Sequence, residues 1–263
     1  MKIYKVSRPS ILEDGIYRFL QDEQLSWQRT NDASNADETV ELAGRLCYMS
    51  FGNLQFSRTN SEYIQNLIDQ GHESVLEHAT WSFIITGVSR GFTHQIVRHR
   101  VGFSFSQLSQ QYFNESTANM VEPTIVSKYK EIREKWKGAT TASQKAYTEL
   151  LAMLDELETD SNALSLQEKK EVKRLKYSAA RSVLPNATES KIFITANARA
   201  LRHFFNIRGS IPGDEEMRIV ASELLKQVCE DSVSLFSDFY ISYLADDSPI
   251  VLRNNSKGSK TEE

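Results

Sequence analysis

Apolar residues recur at helical spacing over long parts of this chain and alternate with polar residues over short parts. Helical spacing predicts helices over 61–70, 143–158, 167–182, 197–207 and much of 214–240. Alternation predicts strands over 78–86 and 191–195. The segments 26–38 and 120–127 follow neither period and are predicted to be irregular. Because helices dominate and strands are few, the pattern predicts an α+β fold.

Individual residues refine the element boundaries. Gly71 is expected to end the helix over 61–70, and Ser89 is placed to cap a further helix that runs towards Arg100. No repeat divides the sequence. We therefore expect one domain over 1–250 and a polar, disordered tail over 251–263.

Composition and charge exclude several classes of protein. The 263 residues are 40% hydrophobic and 25% charged, which is typical of a globular protein with a sizeable core. A net charge of −4 argues against nucleic-acid binding driven by overall charge. An apolar run of about 18 residues is missing, so no membrane span is predicted. Cys47 and Cys229 lie far apart and outside any metal or redox motif, which suggests reduced thiols and a cytoplasmic protein.

Two clusters of cationic and amide side chains carry the candidate chemistry. In the first, Arg98-His99-Arg100 precedes a run rich in Ser and Gln that ends at Tyr112. Guanidinium groups make paired hydrogen bonds to phosphates, so this segment suggests a site for an anionic, nucleotide-like ligand. The second cluster spans 197–208, where Arg199 and His203 are four residues apart and share a helix face. Together the clusters suggest two walls of one site.

Other interpretations of these residues remain open at this point. The cations at 98–100 also suit a solvated helix end. The segment His72-Glu73-Ser74-Val75-Leu76-Glu77-His78 could belong to a metal-dependent nucleotide hydrolase, but its histidine spacing does not match the zinc-protease helix. A turn into the strand, fixed by hydrogen bonds of Glu77 or His78, and a ligand-facing role are the alternatives. An RNA-binding module is the third candidate, because Phe103, Phe105 and Tyr112 are suited to stacking on bases.

The two clusters together resemble the signature of the flavin-dependent thymidylate synthases. Arg98-His99-Arg100 is followed by Leu108-Ser109 and Tyr112, as in that family. The resemblance covers about residues 70–240 and includes His72-Glu73-Ser74, Glu77-His78, Gln95, Arg181 with Leu184-Pro185, Asn197-Ala198-Arg199 and Arg208. The departures are one additional residue between Arg100 and Ser109, and Gln107, Gln111, His203 and Pro212 at positions where other residues are common.

The resemblance implies a fold and an activity. The fold would be the thymidylate synthase-complementing fold, a helix-rich single domain with a small antiparallel sheet. The activity would be the reductive methylation of dUMP to dTMP, with 5,10-methylenetetrahydrofolate as carbon donor. FADH2 would supply the hydride, and NADPH would reduce the flavin. The enzyme would be a homotetramer with active sites between subunits, and no metal, nucleic acid or membrane would be involved.

The resemblance also implies residue roles. The residues that would bind FAD are Ser74, Arg98, His99, Arg100, Gln107, Asn197, Arg199 and His203. Those that would bind dUMP are Gln95, Arg98, Gln107, Leu108, Ser109, Gln110, Gln111, Arg181 and Arg208. Arg208 would be catalytic, because a fixed guanidinium against the uracil stabilises the ring after loss of its N3 proton. Ser109 would donate or accept hydrogen bonds rather than act as a nucleophile, since no base is evident beside it.

Overall fold

The computed structural model describes residues 1–31, 33–55, 58–157 and 164–254. Its strands are β1 (Lys2–Ser7), β2 (Thr80–Ser89), β3 (Phe103–Gln107), β4 (Glu189–Asn197), β5 (Phe239–Tyr243) and β6 (Pro249–Arg253). Its α-helices are α1 (Glu13–Asp22), α2 (Asn35–Tyr48), α3 (Asn60–Asp69), α4 (Arg90–Ile96), α5 (Thr124–Ser127), α6 (Lys130–Glu156), α7 (Leu166–Ala180), α8 (Ala198–Arg208) and α9 (Glu215–Cys229). The helix-rich α+β class is confirmed.

The strands form two small sheets. One has four strands in the order β1-β2-β4-β3. The other is an antiparallel pair of β5 and β6, in which Ile241 lies opposite Val251. The β5–β6 connection is short, as expected for an antiparallel hairpin. A small antiparallel sheet is thus confirmed.

The chain folds into two compact units. The first unit comprises Met1–Lys2, Ile85–Arg98 and Ser106–Phe193. The second unit comprises Ile3–Ile84, His99–Phe105 and the described chain from Ile194 onward.

In the first unit, α6 and α7 pack around a small apolar core. Tyr147, Leu151 and Ala180 are buried there, and Leu150, Tyr177 and Leu184 pack against them. Helix α7 begins with a capping box, in which Ser165 accepts a hydrogen bond from the Glu168 backbone and Glu168 binds back to Ser165. The capping box thus defines the start of α7, and the apolar core holds its other end. Because α7 ends at Ala180, the position of the following residue, Arg181, is also fixed.

In the second unit, aromatic side chains form the core beneath α8 and α9. Trp81, Phe204, Phe205 and Phe236 are almost completely buried. The rings of Trp81 and Phe205 each contact Phe236 edge to face, with centroids 5.8 and 5.9 Å apart. Edge-to-face packing suits the quadrupoles of the rings and adds to the large area they bury. This core supports α8, the helix that carries most of the second cluster of candidate residues.

Several predicted elements are confirmed with small shifts of boundary. Helix α3 ends immediately before Gln70-Gly71, where Gly71 adopts a positive φ of 71°. Ser89 caps α4 by accepting a hydrogen bond from the Phe92 amide. The helices predicted over 167–182 and 197–207 and the strands predicted over 78–86 and 191–195 correspond to α7, α8, β2 and β4.

Other predictions of secondary structure are wrong in part or in full. The helix predicted over 143–158 corresponds to the second half of α6, which ends at Glu156 but already begins at Lys130. The sequence pattern missed this start because the first turns of α6 are mostly exposed. Helix α2 begins inside the segment 26–38, where Ser34 caps it, and α5 lies inside 120–127. The helix predicted through 214–240 ends at Cys229. Helix α4 ends at Ile96 and does not reach Arg100.

The boundary of the predicted tail is also corrected. Residues Pro249–Arg253 form β6, and Val251 is buried. A side chain packed in this way cannot belong to a disordered tail, so the ordered chain extends beyond residue 250. The remainder of the predicted tail, 255–263, lies outside the described residues.

Candidate active site

The start of α8 organises the cluster of the second unit. Asn197 is the N-cap residue, and its side-chain oxygen accepts a hydrogen bond of 2.8 Å from the Ala200 amide. Its backbone amide donates to the Gly102 carbonyl at 3.1 Å. Gly102 has φ = +72°, and a Cβ there would lie 2.7 Å from the Cβ of Ala200. Only glycine suits this conformation and this close approach, so Gly102 fixes the loop after Arg100 against α8.

Arg199 extends from the first turn of α8 towards two carboxylates. Its Nη1 atom lies 2.6 Å from Glu77 Oε1, and its Nε atom lies 3.6 Å from Glu73 Oε2. The hydrogen bond to Glu77 is the main cause of a raised pKa for Arg199. Glu73 and Glu77 are thus ion-pair partners of Arg199. The His72 ring stacks on the Tyr48 ring, with centroids 6.1 Å apart. Among the described residues, no group of three His, Cys, Asp or Glu side chains is arranged to hold a metal ion.

These residues line an open pocket of about 290 Å³ in the second unit. Its lining consists of Glu73, Glu77, Val101, Asn197, Arg199, Ala200 and His203. The pocket therefore combines a guanidinium, an amide and an imidazole with small apolar groups. Such a mixture is typical of a site for a polar ligand that carries a ring.

His99 lies among aromatic rings and contacts Arg208. Its ring centroid is 5.3 Å from that of Phe204 and 6.2 Å from that of His203. Arg208, the last residue of α8, donates from Nε to His99 Nε2 at 3.2 Å. Because Nε2 is the acceptor, the imidazole is neutral and carries its proton on Nδ1.

Electrostatics favours the same neutral state of His99. Burial is the largest cause of a lowered His99 pKa, and the positive charge of Arg208 and the neighbouring His203 lower it further. The pair is thus arranged so that the imidazole accepts a hydrogen bond while the guanidinium keeps its charge. The hydrogen bond to His99 therefore fixes the orientation of the Arg208 guanidinium and of its remaining donor atoms.

The first unit holds the Ser- and Gln-rich segment in a network of short contacts. The amide nitrogen of Gln107 donates to Thr93 Oγ1 at 2.6 Å and to Ser190 Oγ at 3.2 Å. Leu108 donates its backbone amide to the Lys191 carbonyl, and its own carbonyl accepts from Arg90 Nη2 at 2.7 Å. Both donor hydrogens of the Gln107 amide are therefore engaged, and a ligand would meet its oxygen instead.

The segment turns directly after Leu108. The Ser109 carbonyl accepts from the Tyr112 and Phe113 amides at 3.2 and 3.0 Å, and its hydroxyl accepts from the Gln111 amide at 3.3 Å. The guanidinium of Arg174 lies over the Tyr112 ring, 4.7 Å from its centroid. The turn is thus packed against α7, which ends at Arg181.

Two residues in this unit were not predicted from the sequence. Arg90 begins α4, and both its Nε atom and Glu115 Oε1 are buried without a hydrogen-bond partner. Burial lowers the pKa of Arg90 and raises the pKa of Glu115, while the charge of each opposes the shift of the other. Arg90 follows the capping residue Ser89, which is the one signal the sequence offers for it. Glu115 stands in a segment without any periodic pattern.

The remaining predicted residues occupy different surroundings. Ser74, Arg98, Arg100 and His203 are exposed, whereas Gln95, Gln111 and Arg181 are half-buried. Arg181 lies close enough to Arg90 for its charge to lower the pKa of that guanidinium. The structure gathers His99, Asn197, Arg199, His203 and Arg208 in the second unit, and Gln107, Leu108, Ser109, Gln110 and Arg181 in the first. The expectation of two walls of one site stays a prediction.

No helix in the described part of the chain is both long enough and apolar enough to cross a membrane.

The sequence pattern of the family described as "Thymidylate synthase complementing protein" matches residues 30–231. A relative from Mycobacterium avium (strain 104), named flavin-dependent thymidylate synthase, is 42% identical over 233 residues, which are 88% of this chain and 90% of the relative.

Further relatives agree with this match. A protein of the same name from Mycolicibacterium gilvum (strain PYR-GCK) is 43% identical over 84% of this chain and 86% of its own length. One from Mycobacterium tuberculosis (strain ATCC 25177 / H37Ra) is 41% identical over 88% of this chain and 90% of its own length. The matched region includes both clusters of candidate residues. The chain therefore belongs to the flavin-dependent thymidylate synthase family of enzymes.

Proposed function

We propose that this enzyme converts dUMP to dTMP by reductive methylation, with 5,10-methylenetetrahydrofolate as carbon donor, FADH2 as hydride donor and NADPH as the reductant of the flavin. The observation that carries the proposal is the contact between Arg208 and the neutral ring of His99, both of which belong to the matched motifs. A guanidinium fixed by a neutral partner keeps its full charge for a substrate that develops negative charge.

The residues of the second unit fit FAD by their chemistry. A flavin dinucleotide requires cations and amide donors for its diphosphate and flat, partly apolar walls for its rings. The pocket beside Asn197, Arg199 and His203 offers these groups, and the exposed Arg100 adds a further cation. Glu73 and Glu77 hold the Arg199 side chain in place from one side. The proposed FAD-binding residues are Ser74, Arg98, His99, Arg100, Gln107, Asn197, Arg199 and His203.

The flavin, when bound and reduced, supplies a hydride, which no side chain can supply. The chain's own residues bind and orient. Arg199 is held by Glu77 at 2.6 Å, which limits the positions its guanidinium can adopt. His99 accepts from Arg208 and thereby orients it. Arg208 is proposed to lie against the uracil of dUMP and to favour loss of the N3 proton.

The proposed dUMP-binding residues are Gln95, Arg98, Gln107, Leu108, Ser109, Gln110, Gln111, Arg181 and Arg208. Several of them lie on the turn after β3, where backbone and hydroxyl groups are fixed by internal hydrogen bonds. A preorganised turn binds an anionic nucleotide without a further loss of loop entropy. Arg181 and Arg90 provide positive charge in the same unit, which suits a phosphate.

Three broader properties belong to the same proposal. We propose that residues 1–250, together with the rest of β6, act as one catalytic domain, and that four copies assemble with active sites between subunits. We also propose a cytoplasmic location. Cys47 and Cys229 are both free thiols in the described chain, which suits a reducing compartment.

The proposal is tested by an assay of the purified protein with dUMP, 5,10-methylenetetrahydrofolate, FAD and NADPH. We expect flavin-loaded protein to form dTMP only when dUMP, 5,10-methylenetetrahydrofolate and NADPH are all supplied. Light scattering of the same sample should give about four times the mass of the 30.0 kDa chain. Flavin absorbance that persists after gel filtration would support the assignment of FAD. Turnover without flavin, or a protein that neither binds flavin nor forms dTMP, would overturn the proposal.

A further inference from the structure

The chain directly after α8 is buried against β6. Gly209, which follows Arg208, donates its amide to the Phe205 carbonyl at 2.9 Å, and its own carbonyl accepts from the Val251 amide at 2.9 Å. A Cβ at Gly209 would lie 2.5 Å from the Phe205 carbonyl oxygen and 2.5 Å from the Val251 Cβ, so only glycine allows this close approach. The end of α8 is therefore in direct contact with the hairpin of β5 and β6.

Arg218 on α9 fixes the same stretch of chain two residues further on. The residue is only 5% exposed, and its Nη1 atom donates to the Ile211 carbonyl at 3.0 Å. Its Nη2 and Nε atoms donate to Ser248 Oγ at 3.0 Å and to the Pro249 carbonyl at 3.3 Å. The Ile211 amide in turn donates to the Arg208 carbonyl at 3.4 Å. One guanidinium thus joins the chain after α8 to the start of β6.

The acceptors of these three hydrogen bonds are uncharged oxygens. A buried guanidinium commonly pairs with a carboxylate, as Arg202 on α8 does with Asp238 at 2.6 and 2.7 Å. Carbonyl and hydroxyl groups offset the cost of burying the charge less well than a carboxylate does. Geometry accounts for the arrangement at Arg218, because a planar fork of donors can bind acceptors on two separate segments at once.

The last turn of α8 depends on such an anchor. Phe204 and Phe205 are completely buried and hold the middle of the helix, whereas Asn206 and Ile207 are exposed. The last carbonyls of a helix lack partners within it, so the final turn frays unless the chain that follows is fixed. The backbone position of Arg208 therefore depends on the residues after it.

We propose that Arg218 is a positioning residue for Arg208. By fixing the chain after α8 against β6, it keeps the Arg208 guanidinium on His99 and directed at the uracil of dUMP. This role rests on the proposed function, since that function assigns Arg208 to dUMP. Arg218 acts through the backbone of residues 209–211 and is not itself assigned to a ligand.

Variants of Arg218 should lower turnover and leave flavin binding unchanged. Arg218→Lys keeps the charge but not the fork, and Arg218→Met keeps only the packing of the side chain. In both we expect kcat for dTMP formation to fall about tenfold, because Arg208 is displaced rather than removed, while the KM for dUMP stays within about threefold. Ser248→Ala removes one acceptor and leaves the guanidinium in place. It should lower kcat about threefold and keeps the role testable if the Arg218 variants do not fold.

A double-variant cycle separates positioning from a general structural effect. In the Arg208→Ala background, Arg218→Lys should change kcat by less than about twofold, because the group that it positions is absent. A purely structural role would lower kcat by the same factor in both backgrounds. In the single variant Arg218→Lys, the His99 pKa measured by NMR should rise, because Arg208 no longer donates to the neutral ring.

Arg45→Met is the matched control in the same unit. Arg45 is only 2% exposed and pairs with Glu41 at 2.6 Å on α2. Its loss should lower the free energy of unfolding, as the loss of Arg218 does, while kcat of the folded protein stays within about twofold. An unchanged kcat in folded Arg218→Lys and Ser248→Ala variants, or equal losses in the parent and Arg208→Ala backgrounds, would overturn the role.

The two proposals fail in distinguishable ways. A parent protein that does not turn over dUMP refutes the proposed function, while the His99 titration in Arg218→Lys still decides whether Arg218 holds Arg208 on His99. An active parent whose Arg218→Lys variant keeps both the parent kcat and the parent His99 pKa refutes the positioning role alone.

Discussion

At the scale of single residues, the contact between Arg208 and His99 favours the neutral state of the imidazole in the second unit. A protonated imidazole would repel the guanidinium and would have no lone pair on Nε2 to accept its hydrogen bond. Burial and the charge of Arg208 lower the His99 pKa from its usual 6.5 and thus preserve the acceptor. The hydrogen bond from Arg208 to the neutral His99 ring is therefore favoured at neutral and alkaline pH.

The first prediction concerns this pKa. Removing the positive charge in Arg208→Ala should raise the His99 pKa, measured by NMR titration of the imidazole, because one group that opposes protonation is gone. The rise should remain incomplete, since burial is the largest cause of the lowering. Asn206→Ala, an exposed neighbour on α8, is the control and should leave the pKa unchanged. A His99 pKa that is equal in all three proteins would contradict the electrostatic account.

The same shift fixes the direction of a stability effect. His99 binds its proton more weakly in the folded chain than in the unfolded chain, so protonation favours unfolding. Its contribution to stability is therefore present above the usual pKa of 6.5 and is lost as the pH falls below that value. Replacing His99 with Gln should reduce the loss of stability in this acid range, as measured by urea unfolding at several pH values.

The sequence indicated most of these residues but few of their partners. Arg98-His99-Arg100 and Asn197-Ala198-Arg199 stand out because cations and amides cluster there. The hydrogen bonds from Arg199 to Glu77 and from Arg208 to His99 join positions 122 and 109 residues apart. A sequence pattern contains no such pairing, since only the fold brings the partners together.

At the scale of elements, the loop after Arg100 and the start of α8 act as one piece. Gly102 has a positive φ and lies against Ala200 and the Asn197 side chain. Because Asn197 caps α8, any displacement of the loop also disturbs the first turn that presents Arg199. The geometry of the pocket therefore depends on a residue that has no side chain.

The third prediction tests this dependence. Gly102→Ala should destabilise the protein by about 1–2 kcal/mol from the left-handed backbone alone, with a further cost from the close contact with Ala200. It should also weaken FAD retention, because Asn197 must move. Gly138→Ala is the control: Gly138 lies within α6 with open space around it, and the change should stabilise the helix by about 0.5–1 kcal/mol. Chemical unfolding and flavin titration of both variants provide the measurement. Equal effects at the two glycines would contradict the assigned role of Gly102.

The elements themselves were predictable where their apolar stripe was strong. The spacing of apolar residues predicted helices α3, α7 and α8. Gly71 marked the end of α3, and Ser89 marked the start of α4. The first half of α6 was not found, because an exposed helix carries few apolar residues. Strands β1, β3, β5 and β6 were missed, since short strands alternate too briefly to be distinguished from loops.

At the scale of the whole molecule, family membership and the two compact units give complementary information. Membership follows from 42% identity over 88% of the chain. The units show that the proposed flavin residues lie mainly in the second unit, and most proposed nucleotide residues in the first. Arg208 is the exception among the proposed nucleotide residues. It lies in the second unit with the proposed flavin residues, but its proposed ligand is dUMP. Its variants therefore separate cofactor binding from catalysis.

The most direct test of the central claim is the turnover of dUMP by Arg208→Ala and Arg208→Lys. Both variants should retain FAD, and reduction of the flavin by NADPH without nucleotide should survive. The rate of dTMP formation should fall on the order of 10²–10³-fold in Arg208→Ala, and Arg208→Lys should also be badly impaired because lysine lacks the planar fork. Asn206→Ala should keep the parent rate. If Arg208→Ala forms dTMP within a few-fold of the parent rate, Arg208 serves only to complement the end of α8, and the proposed activation of uracil is wrong.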